Sequence, residues 1–143
     1  MPQRAADIQA IVITLRVNET NALFILLAAD GTVNRLGTGS VDNDERDLFI
    51  GTTKEQLFEQ VRASFDNEML GFTGGYEVQN KQGAPCQLDI VLRFADGTDD
   101  GFRFSYGSES EGPPREIVGV VVRAVEVTEP WYQQQKSLVQ AQR

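Results

Sequence analysis

The chain has 143 residues, enough for one domain with a continuous hydrophobic core. Hydrophobic residues make up 41% and charged residues 24%, which is typical of globular rather than disordered proteins. The 13 basic and 21 acidic residues give a net charge of −8, which argues against nonspecific binding to nucleic acid or anionic membranes. The chain has no histidine and one cysteine, Cys86. The sequence therefore excludes imidazole catalysis, histidine-ligated metals, internal disulfides and thiolate zinc cages.

The N-terminal residues 1–7 are polar and lack the apolar stretch of a signal peptide. The longest apolar run has eight residues, Ala22 to Ala29, against the roughly 20 that a membrane-spanning helix needs. These features predict a cytoplasmic location and no membrane contact.

The first segments predict strands. Ile11, Ile13, Leu15 and Val17 alternate with more polar residues, as on a half-buried strand. Residues 22–29 are apolar on both faces, which predicts a central strand covered on both sides. Asp30-Gly31 then forms a hairpin turn to a short third strand, about 33–37, and residues 38–51 follow as a long loop.

Residues 52–70 predict the first helix. Thr52-Thr53-Lys54-Glu55 fits a capping box, and Gly71 is suited to a C-terminal stop. The apolar residues of this segment share one helical stripe: Leu57, Phe58, Val61, Phe65 and Met69.

The second half begins with a strand that carries Tyr76 and Val78. Residues 86–94 and 102–106 alternate between apolar and polar, and Asp96-Gly97 provides the turn between them. Residues 116–128 suit either a strand or a helix. We favour a helix, because the preceding prolines are preorganised for a helix start and the apolar residues fall on one face.

The two halves have the same order of elements, three strands and then a helix. Ala29-Asp30-Gly31-Thr32 recurs as Ala95-Asp96-Gly97-Thr98, and Gly39-Ser40 recurs as Gly107-Ser108. This order predicts one domain, 1–143, with half-repeats 9–71 and 74–128 related by a pseudo-two-fold axis. Asp-Gly-Thr is also a common turn sequence, so the alternative to a duplication is coincidence.

The predicted fold class is α+β, an antiparallel sheet of about six strands with two helices on one face. The other face of the sheet would be mixed and polar, carrying Thr14, Arg16, Glu77, Gln79, Gln87, Asp89, Arg93 and Arg103. The predicted core comprises Leu26, Leu57, Val61, Leu88, Ile90, Leu92, Phe102, Phe104, Val121 and Val125.

Residues 129–143 predict a separate amphipathic segment, because Pro130 breaks a helix. Trp131 and Tyr132 lie one heptad before Leu138 and Val139, which favours docking of this segment on the core. The alternative is a contact with a partner or a homodimer through the C-terminal segment, since aromatic anchors dominate interfaces.

The acidic loops offer oxygen ligands but no recognised metal motif. The loop that carries Asp42, Asp44, Glu45 and Asp47 matches an EF-hand poorly, and Asp96, Asp99 and Asp100 are ordinary turn residues. The loop 107–112 has no Lys-Ser or Lys-Thr pair and contains two glutamates, which repel phosphate. Ser40 and Ser108 lack an activating base, and Cys86 is expected to be buried. The sequence therefore predicts no catalytic residue, no metal site and no cofactor.

The predicted function is a non-enzymatic, acidic interaction module that binds a basic surface of a protein partner. A bacterial immunity-type protein or a secretion chaperone would be one concrete form of such a module. The alternative is a small-ligand or metal-binding domain, including a hydrolase that works through carboxylates. The predicted partner-binding residues are Asp42, Asp44, Glu45, Asp47, Ser108, Glu109, Glu111, Trp131 and Tyr132.

Overall fold

The computed structural model describes residues 4–39 and 47–141, which form an α+β fold with one mixed sheet. The described strands are β1 (Ile8–Val17), β2 (Thr20–Ala28), β3 (Thr32–Gly37), β4 (Leu48–Thr52), β5 (Gly74–Glu77), β6 (Pro85–Phe94) and β7 (Asp99–Gly107). The described helices are α1 (Leu57–Arg62) and α2 (Arg115–Ala141), with short 3₁₀ helices at Ala5–Asp7 and Met69–Phe72.

The sheet has the strand order β4-β3-β2-β1-β6-β7-β5. Neighbours are antiparallel except β5, which runs parallel to β7. The prediction of about six antiparallel strands is therefore correct in class and wrong in two places. It missed β4, which lies in the segment predicted as a loop, and it missed the parallel pairing of β5, which a local pattern cannot reveal.

The core lies between one face of the sheet and the two helices. Ile13 pairs with Ile25 on one side and with Ile90 on the other, and all three side chains are fully buried. Since strand side chains alternate between faces, this register places Leu27 and Leu92 on the same buried face. The burial of these rows is the main stabilising contribution of the sheet.

Most of the predicted core is confirmed, but Leu26, Val121 and Val125 are wrong because each is only half-buried. Leu26 lies on the outer face, since Ile25 and Leu27 on either side of it point to the core. In α2 the residues that face the sheet are Ile117, Val120, Ala124, Val127, Thr128, Trp131 and Tyr132. The predicted stripe was therefore rotated about the helix axis.

The outer face of the sheet is polar only in part. On β6 and β7 it carries ion pairs such as Asp89 with Arg103. On the other side, beside polar residues such as Thr14 and Asn34, it carries an exposed or half-buried apolar group: Val12, Phe24, Leu26, Leu36, Leu48 and Ile50. β2 is thus central, as predicted, but the helices cover only one of its faces.

α2 is a single helix of 27 residues that continues through Pro130. The predicted break at Pro130, and with it a separate segment 129–143, is wrong for the described part of that segment. Proline removes one backbone hydrogen bond, but Val127 and Thr128 before it and Trp131 and Tyr132 after it are all buried. Tertiary contacts on both sides of Pro130 therefore keep the helix continuous.

α1 is shorter than the predicted helix 52–70, because Thr52 belongs to β4 and the chain after Arg62 forms turns. The Thr53 hydroxyl accepts a hydrogen bond from the Glu55 N–H at 3.1 Å, within a turn and not at a helix cap. The predicted stripe is nevertheless buried throughout, from Leu57 to Met69. The apolar spacing identified the right residues but not the length of the helix.

The two Asp-Gly turns have the same local structure. The Asp30 carboxylate accepts a hydrogen bond from the Thr32 N–H, and Asp96 accepts one from Thr98, each at 2.9 Å. Hydrogen bonds from these threonines lower the pKa of both carboxyls. Gly31 and Gly97 have positive φ angles, 98° and 85°, which favour glycine at both turns.

The strand pairing does not repeat between the halves. β1 pairs with β2, but β5 at the corresponding place in the second half pairs with β7 and not with β6. The first half has four strands before its helix and the second half has three, so the two halves share a turn sequence but differ in the number and the pairing of their strands. This arrangement of strands gives no support to the predicted superposition through a pseudo-two-fold axis.

A buried arginine attaches α2 to the sheet. Arg35 on β3 is fully buried and donates to the Gly37 carbonyl at 2.9 Å and to the Thr128 hydroxyl at 2.9 Å. It also forms an ion pair with Glu129 at 3.0 Å, and its guanidinium lies 4.4 Å from the centre of the Tyr132 ring. These contacts position the C-terminal half of α2 over β3 and β4.

Candidate partner-binding cleft

The predicted partner-binding residues do not meet at one described surface. Asp42, Asp44 and Glu45 lie outside the described residues. Asp47 is exposed and directly precedes β4, at one edge of the sheet. The other predicted residues lie in the connection between β7 and α2 and within α2 itself.

Ser108, Glu109 and Glu111 are exposed on the connection from β7 to α2. The Ser108 hydroxyl accepts a hydrogen bond from the Ala84 N–H at 2.9 Å, and the Glu109 N–H donates to the Gln82 carbonyl at 2.9 Å. The Ser108 hydroxyl therefore has a structural role in this loop. These bonds fix the loop against the turn that precedes β6.

Trp131 and Tyr132 are buried within the single chain, with 6% and 0% of their surface exposed. Trp131 packs so closely on Gly51 that a Cβ at this position would lie 3.0 Å from the Trp131 ring. Tyr132 meets Phe49 edge-on, with the two ring centres 5.7 Å apart. The interpretation that these residues cap the core is confirmed. A role in partner binding stays a prediction, and it would require α2 to move.

A cleft of about 740 Å³ opens beside β5, at the other edge of the sheet. The start of α2 and the 3₁₀ helix Met69–Phe72 form its walls, and β7 forms its floor. Its apolar lining residues are Met69, Phe72, Tyr76, Val78, Phe102, Phe104, Tyr106, Pro114 and Ile117. The volume falls in the range of about 300–1,000 Å³ that is usual for ligand sites.

Aromatic rings shape this cleft, which we call the aromatic cleft. Tyr76 stacks on Phe104 with ring centres 5.1 Å apart, and Phe102 follows at 6.4 Å from Phe104. Phe72 is 61% exposed and Tyr76 is 45% exposed, whereas Phe102 and Phe104 are buried beneath them. The Tyr76 hydroxyl donates a hydrogen bond to the Phe72 carbonyl, which holds the two exposed residues close together.

Carboxylates line the cleft together with the aromatic rings. The acidic residues that line the cleft are Asp66, Glu68, Glu77 and Glu116, all exposed, and its described lining contains no lysine or arginine. Glu77 pairs with Lys81 at 2.7 Å, and this hydrogen bond lowers the pKa of Glu77. The Asp66 carboxylate accepts the Met69 N–H at 2.8 Å and so helps to form the adjacent 3₁₀ helix.

Burial raises the pKa of two weak acids near the cleft. Desolvation raises the pKa of Tyr106, and the neighbouring Cys86 adds to this rise. Desolvation also raises the pKa of the Cys86 thiol, which is buried as predicted and donates to the Ala84 carbonyl at 3.4 Å. A buried neutral thiol of this kind is suited to packing rather than to nucleophilic attack.

The described residues contain no group of three or more histidine, cysteine, aspartate or glutamate side chains that could hold a metal ion. Asp99 pairs with Arg93 at 3.1 Å, and Asp100 accepts a hydrogen bond from the Thr73 hydroxyl at 3.0 Å. These contacts give both carboxylates structural roles at the start of β7.

A second cleft, of about 830 Å³, lies where the turn between β2 and β3 meets residues 53–62. Its charged residues have both signs, and the chain itself engages several of them. Arg62 pairs with Glu59, and Asp30 holds the turn that follows it. The aromatic cleft differs because all its charged lining residues are acidic and two of its rings, Phe72 and Tyr76, are exposed.

The sequence predicted Phe102 and Phe104 in the core and Tyr106 on the same strand, but it did not predict the cleft. The alternation of β7 shows which side chains share a face, but not that β5 leaves part of that face open. The one local signal was Phe72 between Gly71 and Gly74, an aromatic residue in a segment without periodicity.

Comparison with known proteins finds no protein-family model, no curated protein and no solved structure that matches this chain. Among the described residues, neither helix combines the length and apolar character that a membrane crossing requires.

Proposed function

We propose that this chain is a protein-interaction module whose aromatic cleft binds an extended segment of a partner protein. The segment carries a basic side chain next to an aromatic or apolar one. The observation that carries the proposal is the exposed pair Phe72 and Tyr76 in a cleft that four carboxylates line.

The chemistry of the cleft supports this choice of partner. A lysine or arginine side chain gains from the faces of aromatic rings and from nearby carboxylates, while its aliphatic stem packs on apolar surface. Glu68 and Glu116 have no ion-pair partner among the described residues, so their charges remain available to a ligand. An acidic segment would meet repulsion at the same place.

The net charge of −8 favours the same partner. A negative surface speeds encounter with a basic partner and loses this advantage as salt screens it. The predicted acidic loop with Asp42, Asp44 and Asp47 would add to this long-range attraction. The cleft would supply the short-range contacts that hold the segment.

Three matched peptides test the proposal by fluorescence anisotropy. One alternates lysine with phenylalanine, one replaces lysine with glutamate, and one replaces phenylalanine with serine. We expect saturable binding of the first peptide alone, because it satisfies both the rings and the carboxylates. Equal binding of all three, or of none, would contradict the proposal.

Variants then locate the site. We expect Phe72→Ala to weaken binding of the lysine–phenylalanine peptide about tenfold, as for an interface hot spot. Neutralising Glu68, Glu77 and Glu116 to glutamine should also weaken it and flatten its salt dependence. The matched control changes Asp42, Asp44 and Asp47 to asparagine. If only this control weakens binding, the acidic loop and not the cleft is the site.

The cleft also fits a second candidate function, the binding of a small aromatic amine. The stacked rings of Tyr76 and Phe104, the acidic residues and the volume are compatible with such a ligand. Phenethylamine, added to the same titration, separates the two functions. If it binds as tightly as the peptide, the small-ligand function is favoured; weaker binding favours the protein segment.

A further inference from the structure

We propose that the partner segment binds as an added strand, antiparallel to β5 at the open edge of the sheet. This inference rests on the proposed function and deepens it, because it states how the segment is held beside the aromatic cleft. In this mode of binding, backbone hydrogen bonds hold the segment, and its alternate side chains provide the selectivity.

β5 has a neighbouring strand on one side only. It is the last strand of the sheet order, and all four of its residues are exposed. A Cβ built on Gly74 or Gly75 would meet no atom within 4 Å beyond the adjacent residues of the chain. β5 also lacks proline, which would block further pairing. The described part of the chain therefore leaves this edge open.

The pairing of β5 with β7 determines which backbone groups face outward. The Val78 N–H donates to the Ser105 carbonyl at 3.0 Å, in agreement with the parallel register of the two strands. Because the backbone groups of successive residues point to opposite sides of a strand, those of Tyr76 also face β7. The N–H and C=O groups of Gly75 and Glu77 therefore point away from β7, toward the open edge.

An antiparallel segment would use these outward groups and place one side chain in the cleft. The residues opposite Gly75 and Glu77 would each exchange N–H and C=O hydrogen bonds with them. The residue between these two would lie opposite Tyr76 in a non-hydrogen-bonded pair, where side chains approach most closely. Tyr76 stacks on Phe104 on the cleft side of the sheet. An aromatic side chain at this middle position would therefore extend the stack of rings.

The next position along β5 accounts for the basic neighbour of that aromatic residue. The Glu77 side chain follows Tyr76 and so points to the opposite face, where a basic side chain of the segment would lie directly across from it. Glu77 is 70% exposed, and its surface ion pair with Lys81 contributes little to stability, so a second cation can join it. A segment of alternating basic and aromatic residues therefore matches both faces of β5.

Backbone N-methylation of the lysine–phenylalanine peptide tests the pairing. In the proposed register the lysine N–H groups donate to β5, and the phenylalanine N–H groups point away from it. We expect the peptide methylated on its lysine backbone nitrogens to bind at least about tenfold more weakly, because it loses these hydrogen bonds. The matched control is methylated on its phenylalanine backbone nitrogens, and it should bind nearly as tightly as the unmodified peptide.

Equal effects of the two modifications, or the reverse order, would overturn the added antiparallel strand. Because the unmodified peptide still binds in both cases, the proposed function would stand. If the unmodified peptide does not bind at all, the proposed function is contradicted, and this inference fails with it.

Amide hydrogen exchange of the isotope-labelled chain is a second measurement. We expect saturating unmodified peptide to slow exchange at the Gly75 and Glu77 amides at least about tenfold, since both become hydrogen-bonded. The Tyr76 amide already faces β7 and serves as the control, with a smaller change. Saturable binding that leaves the exchange of Gly75 and Glu77 unchanged would overturn the added strand.

Discussion

Arg35 shows how a buried charge is accommodated in this core. Its side chain is fully buried, yet it has acceptors on the Gly37 carbonyl, the Thr128 hydroxyl and the Glu129 carboxylate. Glu129 itself is 40% exposed, so water shares the solvation of that ion pair. The arginine therefore contributes mainly by fixing α2 on the sheet.

We predict that Arg35→Ala lowers the free energy of unfolding by about 2–4 kcal/mol, through a cavity and the loss of charged hydrogen bonds. The control is Arg93→Ala, which removes an exposed ion pair with Asp99 and should change stability little. Urea denaturation measures both effects. Equal effects of the two substitutions would show that Arg35 is not the anchor of α2.

The Cys86 thiol provides a second test at this scale. Because burial raises its pKa, little thiolate forms at neutral pH. We predict slow reaction with a thiol reagent in the native state and fast reaction in denaturant. Because the pKa of the thiol is higher in the folded state than in the unfolded state, its contribution to stability is fully present below the unfolded-state pKa of about 8.5. This contribution decreases as the pH rises above that value. Rapid labelling of the native chain would contradict this environment.

Single residues were predictable where their chemistry is local. The aspartates of the two Asp-Gly turns and the buried Cys86 follow from short sequence patterns. The burial of Arg35 was not predictable, because an arginine within a short strand pattern is normally exposed. Its burial depends on acceptors supplied by α2, which is more than 90 residues away in the chain.

At the scale of elements, α2 shows the balance between local preference and tertiary contacts. Pro130 is exposed, lacks an N–H donor and lies within a continuous helix. We predict that Pro130→Ala stabilises the chain by about 1–3 kcal/mol, since proline costs about 3 kcal/mol relative to alanine within a helix. The control Gln134→Ala, one turn later and also exposed, should change stability little. A loss of stability in Pro130→Ala would show that α2 requires a kink.

Two leucines test which face of the sheet is the core. Leu92 is fully buried, and Leu92→Ala should cost about 2–5 kcal/mol through lost burial and an unfilled cavity. Leu26 lies on the outer face, and Leu26→Ala should cost about 1 kcal/mol, since it loses much less buried area. Chemical denaturation compares the two substitutions directly. If Leu26→Ala costs as much as Leu92→Ala, the outer face is also covered.

Long, regular elements were the most predictable. The alternation in β1, β6 and β7 is strong enough to identify both the strands and their buried faces. β4 and β5 have five and four residues, and their formation depends on the neighbours with which they pair. Both were therefore misplaced or incomplete in the prediction, although they form the two edges of the sheet.

At the scale of the whole molecule, the exposed hydrophobic residues concentrate toward the two edges. Phe72 and Tyr76 lie in the aromatic cleft beside β5, and Leu48, Ile50 and Leu138 lie at or beyond β4. The fold class followed from the sequence because amphipathic segments must bury one face. The cleft could not be predicted in the same way, because it is formed by three separate segments, residues 66–78, 102–106 and 112–117. The parallel pairing of β5 with β7 brings these segments together.

The most direct test of the partner-binding cleft is a nuclear magnetic resonance titration of the isotope-labelled chain with the lysine–phenylalanine peptide. We predict saturable shifts in the amide signals of Phe72, Tyr76, Phe104 and Ile117, with little change along β4. The glutamate–phenylalanine peptide should produce none of these shifts. Shifts confined to β4 or to residues 40–47, or an unchanged spectrum, would contradict the assignment of the aromatic cleft as the binding site.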